Sequence, residues 1–246
     1  MKILFIGGCL LTTKTVASEK RFINILRSRN PHWKIILARY ASFSLLEEIF
    51  SAAINEDLPD AVVMLIRPFP FYTLCKPFPR VPGIKGRIEI KMHPRFFFKK
   101  EWFVENDRLI VEMDWNPNGT KRTMTHSVNL SLGKIFGFDK WAVEYVKRKI
   151  FSISDACRKK DIQFTVVGSP EVKNNEKERQ LILTLNEELI KTFSKEKITY
   201  VNLFSKDFPD SMLGPDKVHY NDEGHFQLTK KIEEELIMIR VRGEKK

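Results

Sequence analysis

An aspartate and a histidine stand three positions apart in the stretch LGPDKVHYNDEGHFQLTKKI. In a turn, the carboxylate of Asp216 can accept a hydrogen bond from Nδ1–H of His219, which fixes the imidazole tautomer and leaves Nε2 free to act as a base. The alternative is a capping loop for a helix that begins within residues 221–223, in which Asp216 only accepts backbone hydrogen bonds. Spacing alone leaves both interpretations open.

A cysteine follows the first apolar segment of the chain, MKILFIGGCLL, directly after a pair of glycines. Cys9 beside a His–Asp pair would be a competent nucleophile, because a thiolate forms more easily than an alkoxide. The alternative is a small apolar side chain that fills a core position. The choice between a nucleophile and a core side chain depends on whether the fold brings Cys9 and His219 close together.

The apolar pattern alternates short strands with helices. Strands are predicted at residues 2–6, 33–38, 60–66, 162–167 and 198–203, and helices at 18–29, 44–55, 138–157, 175–193 and 221–239. This alternation predicts an α/β fold, a three-layer α/β/α sandwich around a five-stranded parallel, flavodoxin-like sheet. Ligands of such sheets bind beyond the carboxyl ends of the strands, and Cys9 follows the end of the first strand. The same helical spacing makes Cys157 a core residue.

Residues 68–131 interrupt the alternation with a segment rich in Pro and Phe, followed by alternating runs typical of an antiparallel β-ribbon. We interpret 1–246 as one domain and 68–131 as an insertion that borders the crevice. The insertion carries basic side chains between phenylalanines, and the candidate substrate-binding residues are Lys91, Arg95, Lys99 and Lys100. This composition suits an anionic ligand. The alternative is a solvated ribbon whose phenylalanines pack on the domain.

The stretch DKVHYNDEGHFQLTKKI resembles the last conserved block of the SGNH, or GDSL, hydrolases, in which the Asp and His of a catalytic triad precede the final helix. The residues that fall at the usual types of that block are Asp216, Val218, His219, Asn221 and Gly224. ILFIGGCLL resembles the first block, with Gly7 at the glycine, Gly8 at the acid and Cys9 at the serine. The resemblance implies a Cys9–His219–Asp216 triad, with the N–H of Cys9 as one donor of the oxyanion hole.

Two other blocks of that family depart from its pattern. The second block supplies a glycine N–H to the oxyanion hole, whereas the matching stretch ARYASFSLLEE has no glycine, so that Ala41 or Ser42 would donate instead. The third block supplies an asparagine, whereas Pro68 stands near that position and has no N–H. The neighbouring Arg67 could stabilise an oxyanion, clamp an anionic substrate or form a structural ion pair, and the sequence does not separate these roles.

Composition excludes several classes of protein. The three cysteines, Cys9, Cys75 and Cys157, are widely spaced and form no CxxC pair, which argues against a disulfide framework and favours a reducing, cytoplasmic setting. We expect no metal, since His93 and His126 have no partner at ligand spacing. We also expect no cofactor, no signal peptide and no membrane span. His225 is interpreted as a structural side chain. The net charge of +11 is compatible with anionic partners.

The sequence therefore predicts an ester hydrolase or acyltransferase that acts on a small-molecule or carbohydrate ester, including O-acyl groups and anionic substrates. Cys9 would attack, His219 would move the proton, and Asp216 would orient the imidazole. The alternative is a catalytically inactive protein on the same scaffold that binds an anionic glycan or a nucleic acid through the basic insertion. The complete D-x-x-H turn favours the enzyme, in which case we expect no nucleic-acid partner.

Overall fold

The computed structural model describes residues 1–8, 11, 16–40, 43–77, 80–82, 88–90, 124–170, 173, 175–196, 198–203, 208–215, 217 and 219–243. Five parallel strands form one sheet in the order β2-β1-β3-β6-β7. Their bounds are Lys2–Gly7 (β1), Lys34–Arg39 (β2), Ala61–Leu65 (β3), Gln163–Val167 (β6) and Thr199–Val201 (β7). Arg80–Pro82 (β4) and Ile88–Ile90 (β5) form a separate antiparallel pair. The predicted α/β class and the five-stranded parallel sheet are confirmed.

Helices cover both faces of the sheet. Their bounds are Phe22–Arg29 (α1), Leu46–Glu56 (α2), Pro68–Leu74 (α3), Met124–Ile135 (α4), Phe138–Lys159 (α5), Glu176–Glu196 (α6) and Asp222–Gly243 (α7). Short 3₁₀ helices lie at Ser18–Lys20 and Asp210–Met212. No helix among the described residues is long and apolar enough to cross a membrane.

The alternation of side chains along the strands divides the core between the two faces. In β1, Leu4 and Ile6 belong to one apolar cluster, whereas Ile3 and Phe5 belong to the other. Residues of a strand point alternately to opposite faces, so a strand that is apolar throughout must be covered on both sides. The first cluster packs beneath α2, α3, α5 and α6, and the second beneath α1 and α7. These layers account for the three-layer sandwich.

Both ends of the predicted insertion are helical and contribute to the core, which the sequence interpretation did not include. Phe71 and Tyr72 of α3 and Leu130 of α4 are buried in the first cluster. Pro68 begins α3, where its missing N–H has no helical partner to lose. Of the two runs predicted as an antiparallel ribbon, 86–92 contains β5, whose partner β4 lies in the Pro- and Phe-rich stretch and was not predicted as a strand. The other run, 108–114, lies outside the described residues, as do 83–87 and the rest of 91–123, including Lys91, Arg95, Lys99 and Lys100.

Candidate active site

The first strand ends at the carboxyl edge of the sheet beside the third. Ile6 pairs with Met64, and Gly8 follows directly after β1. Cys9 is the next residue along the chain and lies outside the described residues, as do Ala41, Ser42 and Asp216. Of the predicted catalytic and oxyanion-hole residues, the structure therefore describes His219 and Arg67.

Arg67 lies against the backbone of Gly8. A Cβ placed on Gly8 would stand 2.6 Å from Cζ of Arg67 and still closer to its Nε, so the guanidinium occupies the space that a side chain at position 8 would need. Nε is buried and donates no hydrogen bond to a described residue. The residue predicted as an oxyanion donor is thus next to the residue that precedes Cys9.

Tyr40 holds Arg67 in this position. The Tyr40 hydroxyl accepts a hydrogen bond from the backbone N–H of Arg67 at 3.0 Å and donates one to the carbonyl of Leu65 at 3.0 Å. Nη1 of Arg67 donates to the Tyr40 carbonyl oxygen, and Cζ lies 5.5 Å from the centre of the Tyr40 ring. Tyr40 is fully buried, so the residue that holds the guanidinium is itself fixed by the core around it.

His219 lies in a tight turn between β7 and α7. Leu213 and Tyr220 pair as an antiparallel bridge, and the carbonyl of His219 accepts a hydrogen bond from Gly214 N–H at 2.7 Å. Lys217, inside the turn, has a φ of 56°, the left-handed conformation that such a reversal requires. The turn thus fixes the backbone of His219, while the predicted pairing of His219 with Asp216 stays a prediction.

The first turn of α7 fixes the end of this loop. Oδ1 of Asn221 accepts a hydrogen bond from the N–H of Gly224 at 3.0 Å, so Asn221 is the N-cap of the helix. Its Nδ2 donates to the carbonyl of Ser211 at 2.7 Å. A Cβ on Gly224 would stand 2.6 Å from the carbonyl oxygen of Met212, so only glycine allows the helix to approach the loop this closely. The Asn221 and Gly224 positions of the resemblance therefore have structural roles.

The loop after β1 and the loop before α7 face each other. A cavity of about 440 Å³ is lined by Val16 from the first loop, by Gly214, Pro215, Tyr220 and Asn221 from the second, and by Asp222 and Glu223 of α7. Leu11, whose N–H donates to the carbonyl of Gly8 at 2.9 Å, belongs to the same apolar cluster as Tyr220. Val16 and residues of the turn that contains His219 thus line one cavity, beside the apolar cluster that α1 and α7 share.

His225 is a buried neighbour of this turn. Its ring stacks on Phe22 with centroids 6.2 Å apart, and Nδ1 accepts a hydrogen bond from the Phe22 N–H at 3.4 Å. Burial, with a smaller contribution from the charge of His219, lowers the pKa of His225 to about 4. The neutral imidazole is a core side chain, in agreement with the structural role expected for it.

The other two cysteines are buried and unsuited to nucleophilic chemistry. Cys157 is 0% exposed on the core face of α5, and burial raises the pKa of its thiol to about 12. Burial, together with the nearby charge of Asp139, raises the pKa of the Cys75 thiol well above its usual value. No cluster of three or more His, Cys, Asp or Glu side chains in the described part of the chain could hold a metal ion.

Solved structures with the same architecture are lipolytic proteins and esterases. A lipolytic protein of the G-D-S-L family from Veillonella parvula aligns over 95% of this chain and 97% of its own, with a TM-score of 0.54 and 9% identity. The acetyl xylan esterase AlAXEase aligns over 94% and 98%, with a TM-score of 0.53 and 13% identity. A catalytic mutant of Axe2, an acetylxylan esterase from Geobacillus stearothermophilus, covers 94% and 91%, with a TM-score of 0.54 and 10% identity.

The chain has the fold of GDSL esterases. No protein-family model matches the sequence, and no curated protein matches it either. Similarity at this level of identity concerns the architecture alone. The match extends over nearly the whole length of each chain.

Sequence reasoning did not find the contact between Gly8 and Arg67 or the anchoring role of Tyr40. The motif comparison places Gly8 at the acidic position of the first block and Arg67 beside the asparagine position of the third block, without relating the two. The structure brings Gly8 and Arg67 into contact. The signal that could have indicated this contact is a glycine, Gly8, at the end of β1 together with a large side chain, Arg67, at the end of the neighbouring β3.

Proposed function

We propose that this protein is an ester hydrolase or acyltransferase of the SGNH type in which Cys9 is the nucleophile, His219 the general acid and base, and Asp216 the residue that orients His219. The Cys9 thiolate attacks the ester carbonyl carbon and forms a tetrahedral oxyanion. His219 protonates the departing alcohol, which leaves a thioester on Cys9. His219 then takes a proton from water or from an acceptor alcohol, whose oxygen attacks the thioester and releases the thiolate.

The observation that carries this proposal is the shared cavity at the carboxyl edge. Val16, from the loop that contains Cys9, and the turn that contains His219 line the same space of about 440 Å³. In parallel α/β sheets this edge is where ligands bind. The GDSL fold adds support, because esterases are among the proteins that share it.

The proposed oxyanion hole consists of the backbone N–H of Cys9, the N–H of Ala41 or Ser42, and the side chain of Arg67. Arg67 lies against Gly8, so its guanidinium is close to the residue that would bear the tetrahedral centre. A charged donor stabilises a developing negative charge more strongly than a neutral amide does. Arg67 would thus take the role that an asparagine side chain has in the resembled family.

The substrate class we propose is an O-acylated carbohydrate. Two proteins of the same fold act on acetylated xylan or xylo-oligosaccharides according to their names. The interleaved basic and aromatic residues of the 68–131 segment, including Lys91, Arg95, Lys99 and Lys100, would bind a sugar that carries negative charge.

The test is hydrolysis of p-nitrophenyl acetate and of an acetylated xylo-oligosaccharide by the wild type, Cys9→Ala and His219→Ala. We expect both variants to fall to the uncatalysed rate, while His32→Ala, at an exposed histidine, keeps the wild-type rate. A quenched reaction should yield an acetyl adduct on the Cys9 peptide that hydroxylamine removes. Full activity in Cys9→Ala, or no activity in the wild type, would contradict the proposal.

The second candidate is a catalytically inactive binding protein, and the nature of the residue at position 67 favours it. An arginine between β3 and α3 is suited to holding a stable anion as well as a transient one. In that case the wild type would bind an anionic glycan or nucleic acid through the basic segment and hydrolyse neither ester. The same assay therefore separates the two candidates.

A further inference from the structure

The first residues after β6 are held by a side-chain amide of α6. Oδ1 of Asn186 accepts a hydrogen bond from the backbone N–H of Ser169 at 3.3 Å, and Nδ2 donates one to the carbonyl oxygen of Ser169 at 3.1 Å. One amide therefore binds both backbone groups of one residue, as the opposite residue does in an antiparallel strand pair. Asn186 is 1% exposed, and from Leu181 to Phe193 the other buried residues of α6 are apolar. The contact with Ser169 thus explains a polar side chain on this face of the helix.

Tyr200 of β7 fixes the orientation of this amide. Its hydroxyl donates a hydrogen bond to Oδ1 of Asn186 at 2.7 Å, and burial raises the pKa of the hydroxyl, so the group remains a donor. Oδ1 thus faces two donors, while Nδ2 faces the Ser169 carbonyl. Gly168 leaves room for the hydroxyl, because a Cβ there would stand 2.3 Å from the Tyr200 oxygen. These contacts form one network at the carboxyl end of β6.

The segment that begins with Ser169 also reaches the turn that contains His219. Lys173, four positions further along, donates a hydrogen bond from its backbone N–H to the carbonyl oxygen of Lys217 at 3.0 Å. Its Nζ pairs with the carboxylate of Asp210 in the 3₁₀ helix before the turn. The side chain of Asp210 is 63% exposed, so this ion pair contributes little to stability. The backbone hydrogen bond to Lys217 is therefore the firmer of the two contacts.

We propose that Asn186 is a positioning residue for His219. Asn186 fixes Ser169, and through the short segment from 169 to 173 it fixes the N–H group that supports Lys217 in the turn. Such support matters for catalysis, because displacing a catalytic group by about 1 Å can cost about 100-fold in rate. This inference rests on the proposed function, and it adds to that function a buried residue that acts through the backbone of the turn.

The first test compares Asn186→Asp with Asn30→Asp in the hydrolysis of p-nitrophenyl acetate. Asn186→Asp keeps the acceptor and loses the donor to Ser169, so we expect kcat to fall about tenfold while KM stays within about twofold. Asn30→Asp is the matched control and should keep the wild-type kcat, because Nδ2 of this buried asparagine donates to Glu233 at 2.7 Å and does not contact the turn. Tyr200→Phe, which removes one hydrogen bond to the amide, is the second variant if Asn186→Asp does not fold.

A double-mutant cycle with His219→Ala separates positioning from a general loss of stability. Asn186→Asp should slow the alkylation of Cys9 by iodoacetamide in the wild-type background. It should have no effect in the His219→Ala background, where no imidazole remains to be displaced. Effects of equal size in the two backgrounds would mean that Asn186 acts on Cys9 by another route, and this result would overturn the inference.

Hydrogen exchange of single amides, followed by NMR, provides a measurement that needs no enzymatic activity. The N–H groups of Gly214 and Lys217 donate hydrogen bonds within the turn, to the carbonyls of His219 and Gly214. We expect Asn186→Asp and Tyr200→Phe to raise their exchange rates about tenfold relative to the control variant. Unchanged rates in the folded variants overturn the inference. Faster exchange together with an inactive wild type would contradict the proposed function alone, since the support of the turn would still hold.

Discussion

Burial places Cys75 and Cys157 in similar chemical environments. Cys75 and Cys157 are both buried, and the pKa values of their thiols are raised because a thiolate is poorly solvated in the core. Cys9 is the remaining cysteine, and it follows a glycine that contacts a guanidinium. A positive charge near a thiol favours the thiolate, so the surroundings of Gly8 predict the opposite behaviour for Cys9.

We expect Cys9 to react faster with iodoacetamide than Cys75 and Cys157 at neutral pH. His219→Ala should slow the reaction at Cys9 and leave the other two unchanged, because their slow reaction follows from burial. Quenched time points followed by peptide mapping give the separate rates. Equal rates at Cys9 in the two proteins would mean that His219 does not activate the thiol, and the inactive binding protein would then be the better description.

His225 should make the stability of the protein depend on pH. Its pKa is about 4 in the folded protein and 6.5 as the ordinary value, and the main cause is burial, followed by the charge of His219. The unfolded chain therefore binds more protons between these values, so this contribution is complete above pH 6.5 and is lost as the pH falls toward 4. The charges of Asp222 and Arg21 act in opposite directions on the same ring.

His225→Leu should reduce the loss of unfolding free energy between pH 7 and pH 5 by about 1 to 2 kcal/mol. Urea denaturation at the two pH values measures the difference. His32→Gln is the control, because His32 is exposed. If the wild type and His225→Leu lose the same free energy over this range, another group is responsible for the acid sensitivity.

Among the secondary-structure elements, α7 and α6 begin with the same kind of cap but at different distances from the candidate site. Asn221 accepts a hydrogen bond from Gly224 N–H, and Asn175 accepts hydrogen bonds from the N–H groups of Lys177 and Glu178. Asn221 also bonds to Ser211 in the loop before the His219 turn. Asn221 is thus bonded directly to the segment before the turn, whereas Asn175, among the described residues, is linked to the turn only through Lys173, whose N–H donates to the carbonyl of Lys217 at 3.0 Å.

Asn221→Ala and Asn175→Ala should each lower the free energy of unfolding by about 1 kcal/mol, the usual cost of losing an asparagine N-cap. Asn221→Ala should also slow alkylation of Cys9 and hydrolysis of p-nitrophenyl acetate more than Asn175→Ala does, because Asn221 is bonded directly to the segment before the turn that holds His219. Denaturant titration and the two rate assays provide the measurements. A similar loss of rate in both variants would indicate a general effect of stability rather than positioning.

The elements that sequence analysis did not predict are short or atypical in composition. The segment PFPFYTL has two prolines and no helical periodicity that seven residues could display, yet both prolines fall in the first turn of α3, where a missing N–H is tolerated. By contrast, the strands and longer helices have apolar patterns with clear periods, and these were predicted to within a few residues. The contact of Gly8 with Arg67 depends on the pairing of β1 with β3, which no local pattern contains.

For the molecule as a whole, the net charge of +11 should make anion binding depend on ionic strength. Charge reversal of Lys99 and Lys100, two of the proposed substrate-binding residues, should weaken binding to a sulfated polysaccharide, with the larger difference at low salt. Elution from a heparin column across a salt gradient measures this. Reversal of Lys159 and Lys160, at the exposed end of α5, is the control, and an equal shift in both sets would assign the effect to total charge.

The packing of α7 on α1 has a consequence for how the chain is made. Phe22, Ile23 and Leu26 of α1 share one apolar cluster with Leu228, Ile232 and Leu236 of α7, across some 200 residues of sequence. A ribosome that builds the chain from its amino end therefore releases α1 long before its partner exists. Until α7 emerges, that apolar face is exposed to water or to chaperones, and the turn with His219 has no helix to anchor it. The cleft is thus completed only once α7 has been synthesised, and a chain cut before residue 222 would lack the helix that packs on α1 and would not hold its proposed base in working position.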